Sequence, residues 1–132
     1  MKLVDKAKAQ SGFTLIEMGI ALSIVGVLGV AANQTVRLNA LRRPSPATLP
    51  ACSANLALVD NNANVLNSSI VSLTPGQAKS ITLSADPTAV ELVYGGAFRA
   101  NTNSCDSREI VATFELVDSH TGSTLVALPA VQ

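Results

Sequence analysis

A single carboxylate, Glu17, lies inside an apolar run that is long enough to cross a membrane. The run extends from Phe13 to Ala32 and contains no other charged residue. As a helix rising about 1.5 Å per residue, it would match the hydrocarbon thickness of a bilayer. Because placing an ionised acid at mid-membrane costs about 2.5–3.5 kcal/mol, a carboxylate in such a span indicates a function.

The one histidine, His120, lies in the stretch DSHTGS between Asp118 and Ser123. These residue types form catalytic triads in some enzymes, but a single turn cannot hold the geometry that a triad needs. We interpret His120 as a solvated turn residue. The sequence also lacks a phosphate-binding loop, a CxxC motif and paired catalytic carboxylates. It therefore predicts a non-enzymatic protein without a cofactor.

Three polar residues, Asp60, Asn62 and Asn64, alternate in the stretch DNNAN as the first ligands of a calcium loop do. Val65 stands where such a loop needs glycine, and Val71 where it needs an acid. We interpret the stretch as a turn and predict no metal site, with a calcium site as the alternative.

The two cysteines, Cys52 and Cys105, are the remaining residues with distinctive chemistry. If the carboxy-terminal region lies outside the cytoplasm, they should form a disulfide. Closing a loop of about 54 residues between them would stabilise a small domain by about 4 kcal/mol in the chain-entropy model. Two free buried thiols are the alternative.

Three ordinary interpretations compete for the apolar run. A secretory signal has a shorter apolar core and then a small-residue cleavage site, and the stretch AANQTV is a poor one. A plain membrane anchor fits the length but leaves Glu17 unexplained. A buried helix of a soluble protein would need a larger remainder of the chain to cover it.

Basic residues lie on both sides of the apolar run. The preceding ones are Lys2, Lys6 and Lys8. The following ones are Arg37, Arg42 and Arg43. The lysines predict a cytoplasmic amino terminus by the positive-inside rule, and the arginines could lie among lipid headgroups.

The stretch SGFTLIEMGIALSIVG resembles the amino terminus of type IV pilins and of the pseudopilins of type II secretion. The resemblance implies that residues 1–12 are a prepilin leader. A membrane-embedded prepilin peptidase would cut between Gly12 and Phe13 and methylate the new amino terminus of Phe13. It also implies a bacterial inner-membrane protein with its carboxy-terminal domain periplasmic or extracellular, which later joins a filament at the cell surface.

The same resemblance gives Glu17 a role in assembly and register. In a growing filament its carboxylate would pair with the amino terminus of a neighbouring subunit, and a pair in a low-dielectric setting costs far less than a lone charge. The implied partners are the prepilin peptidase, other pilin or pseudopilin subunits, the inner-membrane assembly platform and membrane lipid.

The chain departs from the family after the apolar run. Many pilins have a proline in this helix, and here none occurs between residues 13 and 43. The prolines Pro44, Pro46 and Pro50 cannot sustain a helix. The sequence therefore predicts a transmembrane and filament-core helix over residues 13–43, followed by a proline-rich linker over 44–50.

From residue 51 to 132 the hydrophobic pattern changes to period two. Turn-forming stretches separate six apolar segments, at 54–60, 64–73, 78–85, 88–96, 109–118 and 123–131. This pattern predicts a small all-β domain, an antiparallel sandwich or small barrel. From Pro44 onward three basic residues face seven acidic ones, a net charge of −4, which argues against contact with nucleic acid.

These observations predict a structural subunit of a type IV pilus or type II secretion-like filament, as a minor pilin or a pseudopilin. The alternative is a membrane-tethered β-sandwich binding module that does not polymerise. Glu17 separates the two, because only a polymerising subunit needs a charge partner inside the apolar layer.

Overall fold

The described part of the chain is an all-β domain. A computed structural model describes residues 21–84 and 91–128 and has eight strands and one short 3₁₀ turn, Ser107–Glu109. The strands are β1 (Ala21–Val30), β2 (Gln34–Arg42), β3 (Cys52–Asp60), β4 (Val65–Leu73), β5 (Ala78–Ser84), β6 (Glu91–Arg99), β7 (Ile110–Asp118) and β8 (Thr124–Leu128).

The strands form two four-stranded antiparallel sheets that share one core. Sheet A has the order β1-β6-β3-β4, and sheet B has the order β5-β2-β7-β8. Two hairpins, β3–β4 and β7–β8, stay within a sheet. The chain crosses between the sheets at residues 31–33, 43–51, 74–77 and 100–109, which makes a sandwich.

The six segments that alternate in the carboxy-terminal region are confirmed as strands β3 to β8. In β7 the alternating apolar residues Ile110, Ala112, Phe114 and Leu116 are all buried. Alternation predicts strands well here because each sheet buries only one full face, so every second side chain must be apolar.

The helix predicted over residues 13–43 is not found in the described part of that range, which forms β1 and β2, and residues 13–20 of the predicted helix lie outside the described residues. The strand β2 is the second strand of sheet B and pairs with both β5 and β7. Its Val36, Leu38 and Ala40 are fully buried and alternate with the polar Arg37 and Asn39. This period of two belongs to a strand with one core face.

The described domain also starts earlier in the chain than the predicted boundary at residue 51. The domain includes β1 and β2 and so begins at least 30 residues before residue 51. The proline-rich segment 44–50 is a loop outside the strands, as expected, but it joins β2 of sheet B to β3 of sheet A. The prolines do end the preceding element, because β2 stops at Arg42.

Arg42 also differs from its predicted position among lipid headgroups. Its side chain is 5% exposed, and its Nη1 donates to the carbonyl oxygens of Pro50 and Leu73 at 2.7 and 3.0 Å. Its Nη2 lies 3.2 Å from Glu109 Oε2. A buried guanidinium needs such partners, and here it ties the end of β2 to the next loop, β4 and the 3₁₀ turn.

Candidate assembly segment and the domain that carries it

The residues predicted for processing and assembly, Gly12, Phe13 and Glu17, lie outside the described residues. The structure describes the same apolar run only from Ala21 onward, where it enters β1. The structure of the second half of the apolar run is therefore that of β1.

The strand β1 lies at the edge of sheet A, and among the described strands it has a ladder only with β6. Its inward side chains, Leu22, Val25, Leu28 and Val30, belong to the main core. The ladder has two irregularities, between Ala21 and Ser23 and between Ile24 and Gly26. Bulges of this kind are frequent at sheet edges, where they interrupt regular pairing.

Two local features mark the irregular part of β1. Gly26 has a φ of 137°, a conformation that other residues rarely adopt. The buried Ser23 Oγ has no hydrogen-bond partner among the described residues, a cost of about 1–3 kcal/mol for a buried hydroxyl. The edge strand is therefore the least regular part of sheet A.

Part of the outer face of sheet A, on β1, β3 and β6, is apolar. A cluster of Ala57, Val59 and Phe98, with Tyr94 packed against it, lies on the side opposite the main core. The neighbouring outward side chains of β1 and β6 extend the surface. They are Ile24, Val27 and Leu92, and they are 39%, 56% and 51% exposed.

The outer face of sheet B is polar by contrast, and Glu115 lies at its centre. Arg37 Nε donates to Glu115 Oε2 at 2.9 Å, and Asn39 Nδ2 donates to the same oxygen at 2.8 Å. Thr124 Oγ1 donates to Glu115 Oε1 at 2.8 Å. The hydrogen bond from Arg37, with the other two, outweighs burial and lowers the pKa of Glu115 to about 2.

The disulfide joins Cys52, the first residue of β3, to Cys105 in the crossover before β7. Both half-cystines are buried. Backbone hydrogen bonds flank the bridge, from Ser53 N to the Asn103 oxygen at 2.7 Å and from Cys105 N to the Ser53 oxygen at 2.9 Å. The two cysteines are therefore paired, as predicted, and the bridge ties the crossover at residues 100–109 to the start of β3.

The stretch around Asp60 is a turn, as predicted. Asp60 Oδ1 accepts from the backbone nitrogens of Asn62 and Asn64 at 2.8 and 2.9 Å. Burial raises the pKa of Asp60, but these bonds outweigh it and the pKa lies below its ordinary value. Since backbone N–H groups already occupy Oδ1, the geometry is that of an Asx turn.

His120 also lies in a turn, between β7 and β8. Its backbone nitrogen donates to Asp118 Oδ1 at 2.8 Å, and the residue is exposed. Across residues 21–84 and 91–128, no three side chains of His, Cys, Asp or Glu come together as metal ligands.

The described ranges also contain no helix that combines the length and the apolar character of a bilayer span.

The sequence analysis did not identify two features of the domain. They are the contacts of the buried Arg42 side chain with Pro50, Leu73 and Glu109, and the ion pair between Arg37 and Glu115. The alternation of Val36, Leu38 and Ala40 could have shown that both arginines belong to a strand. Their partners could not have been found the same way, because Glu115 lies 78 positions from Arg37 in the chain.

One segment of the chain, which contains β1, matches a known family model. Residues 7–33 match the family model of the prokaryotic N-terminal methylation motif. This motif is the prepilin-type cleavage and methylation signal of type IV pilins and pseudopilins, and the chain carries it. No curated protein and no solved structure matches the chain.

Proposed function

We propose that the chain is a structural subunit, a minor pilin or a pseudopilin, of a type IV pilus or type II secretion-like filament. Prepilin peptidase cuts between Gly12 and Phe13, and Phe13 is then methylated. The match to the N-terminal methylation motif over residues 7–33 is the observation that carries this proposal. Its boundaries include the cleavage site, the methylated residue and Glu17.

In the proposed filament, Glu17 sets the register between subunits. Cleavage gives Phe13 a positively charged amino terminus, four positions before the carboxylate. Two unit charges about 4 Å apart attract each other by about 4 kcal/mol at an effective dielectric constant of about 20. Since an unpaired carboxylate in the apolar layer is costly, the subunit is stable there only when a neighbour supplies the ammonium group at the matching height.

The β-domain is the part displayed outside the cytoplasm. The Cys52–Cys105 disulfide supports this placement, because such bonds persist in oxidising compartments and are rare in the cytosol. The outward topology follows from three lysines ahead of the apolar run. The partners are then the prepilin peptidase, other subunits, the assembly platform and lipid.

The test replaces Glu17 with Ala in the full chain and measures three quantities in a strain that makes the filaments. We expect cleavage and membrane insertion to be unchanged, because the leader and the apolar run remain. We expect incorporation into sheared filaments to fall by about tenfold or more, which corresponds to a lost interaction of about 1.4 kcal/mol. Met18→Leu, a neutral change at the next position, is the matched control and should incorporate normally.

The outcome also separates the proposal from a tethered binding module. A module that does not polymerise would be cleaved and inserted, and its amount in the filament fraction would be negligible for wild type and variant alike. Normal incorporation of the Glu17→Ala chain would refute the assembly role of the carboxylate.

A further inference from the structure

Residues Ala21–Val30 form a strand in the structure, and the proposed function places them in a membrane helix. The methylation motif covers residues 7–33 and so contains the whole of β1, Ala21–Val30. The proposed function places the run from Phe13 to Ala32 in a bilayer or filament core. A strand in the edge of sheet A cannot at the same time continue such a helix.

The composition of β1 fits both environments. Its inward side chains lie in the core, yet its outward residues Ile24 and Val27 are also apolar and are 39% and 56% exposed. A strand with one solvated face normally alternates apolar and polar residues, as β2 does with Arg37 and Asn39. A segment that is apolar all round is suited to a bilayer helix.

The position of β1 allows it to leave without dividing the sandwich. Among the described strands it has a ladder with β6 alone, although it also packs against β7 of sheet B, and β6 retains its ladder with β3. The bulges and the unpartnered Ser23 hydroxyl make β1 the least regularly bonded strand of its sheet. Its core side chains would pass from the apolar interior of the domain into an apolar bilayer, so their own burial is largely retained, while the core residues that they cover in the rest of the sandwich become more exposed.

A short turn separates β1 from the part that stays. Residues Ala31–Asn33 form it, with Asn33 at a φ of 64° and Gln34 N bonded to the Ala31 oxygen at 3.1 Å. From Gln34 onward β2 is held in register by β7, starting at the pair Gln34 and Asp118. The hinge therefore lies at Ala31–Asn33.

We propose that β1 is a detachable strand, which pairs with β6 when the chain is outside a membrane and becomes the second half of the membrane helix when the motif segment inserts. This inference rests on the proposed function, because it needs insertion of the run from Phe13. It assigns a second conformation to Ala21–Val30 while β2 to β8 keep theirs.

The test is a disulfide trap between β1 and β6. Gly29 and Leu92 are register partners, and a Cβ built on Gly29 would lie 3.8 Å from Leu92 Cδ2, so Gly29→Cys with Leu92→Cys can form a bridge. The control pair is Leu41→Cys with Val111→Cys, which are register partners in β2 and β7. Each full chain is made by cell-free synthesis under oxidising conditions, with or without vesicles of phosphatidylethanolamine and phosphatidylglycerol. Bridges are counted by peptide mass spectrometry.

Without vesicles, both pairs should form their bridge. With vesicles, the fraction of chains that carry the 29–92 bridge should fall by about tenfold or more. Tenfold corresponds to a preference of the β1 segment for the membrane over the sheet of about 1.4 kcal/mol. The fraction of chains with the 41–111 bridge should be unchanged. Protease protection of the motif segment reports insertion independently.

Three results would overturn the inference. A 29–92 bridge that forms fully in chains with a protected segment shows that β1 stays in the sheet, and it leaves processing and filament assembly untouched. Failure of that bridge to form without vesicles, with the control bridge present, shows that β1 does not pair with β6. A segment that never becomes protected removes membrane insertion, and with it both the proposed function and this inference.

Discussion

The carboxylate of Glu115 should make the stability of the domain depend on pH. In the folded state it accepts hydrogen bonds from Arg37, Asn39 and Thr124 at 2.8–2.9 Å, and its pKa falls from 4.5 to about 2. The perturbation is Glu115→Gln, which keeps the side-chain shape and removes the charge. Because Arg37 then loses its ion partner, the variant should unfold more easily at neutral pH.

The magnitude follows from the difference between the folded and unfolded pKa. A fall from 4.5 to about 2 corresponds to about 3 kcal/mol at about 1.36 kcal/mol per unit. Solvent screens the pair, since the Arg37 side chain is 37% exposed, although that of Glu115 is only 15% exposed. We therefore expect a loss of about 1–2 kcal/mol. A carboxylate whose pKa is lower in the folded than in the unfolded state stabilises the fold at every pH above the unfolded pKa. Its contribution to the free energy of unfolding is therefore complete at neutral pH, and it declines as the pH falls from 4.5 towards about 2.

The assay is urea unfolding of the full chain followed by tyrosine fluorescence. The chain has one tyrosine, Tyr94 on β6, and no tryptophan, so the signal reports the sandwich directly. Thr124→Val, which removes one of the three donors and keeps the charge, should lose less than Glu115→Gln. Equal loss for Glu115→Gln at neutral pH and at about pH 2 would refute the assignment of its effect to the ionised carboxylate.

Two further changes test the packing of the sandwich. Replacing Cys52 and Cys105 together with Ser should lower the free energy of unfolding by about 4 kcal/mol, because the unfolded chain regains the entropy of a loop spanning 53 positions, and thermal unfolding of wild type with and without reductant should show the same difference. Gly96→Ala should cost about 1–3 kcal/mol in urea unfolding, since a Cβ there would lie 2.9 Å from the backbone oxygen of Ser23. Gly29→Ala, whose Cβ would meet nothing closer than 3.8 Å, should be near neutral, and equal effects of the two changes would contradict this packing.

Strands with a core face could be predicted because their apolar residues alternate, as in β7, whereas β8 was predictable only as a short apolar stretch after a turn, and its residues 124–127 are exposed. The strand β2 alternates as well, at Val36, Leu38 and Ala40, but the prolines from Pro44 onward mark the first clear end of a helix, so the prediction places β2 inside one. The strand β1 could not be found from periodicity, because its outward residues Ile24 and Val27 are as apolar as its core residues. A run of twenty residues with a single charge indicates a membrane helix, although its described part from Ala21 forms a strand in the structure.

The features of the candidate site were also only partly predictable from the sequence. The cleavage and methylation motif could be found from residues 7–33, because the peptidase signal is local in sequence. The disulfide partners could be predicted because the chain has only two cysteines. The partners of Arg42 and Glu115 are set by strand register and by crossovers between the sheets, so no local pattern identifies them.

The mass spectrum of the mature chain, purified from cells with an active prepilin peptidase, is the most direct test of the claim that this chain is processed as a pilin. The expected chain begins at Phe13 and carries one added methyl group on its amino terminus. A chain that retains Met1, or that begins near Ala32, would contradict the claim.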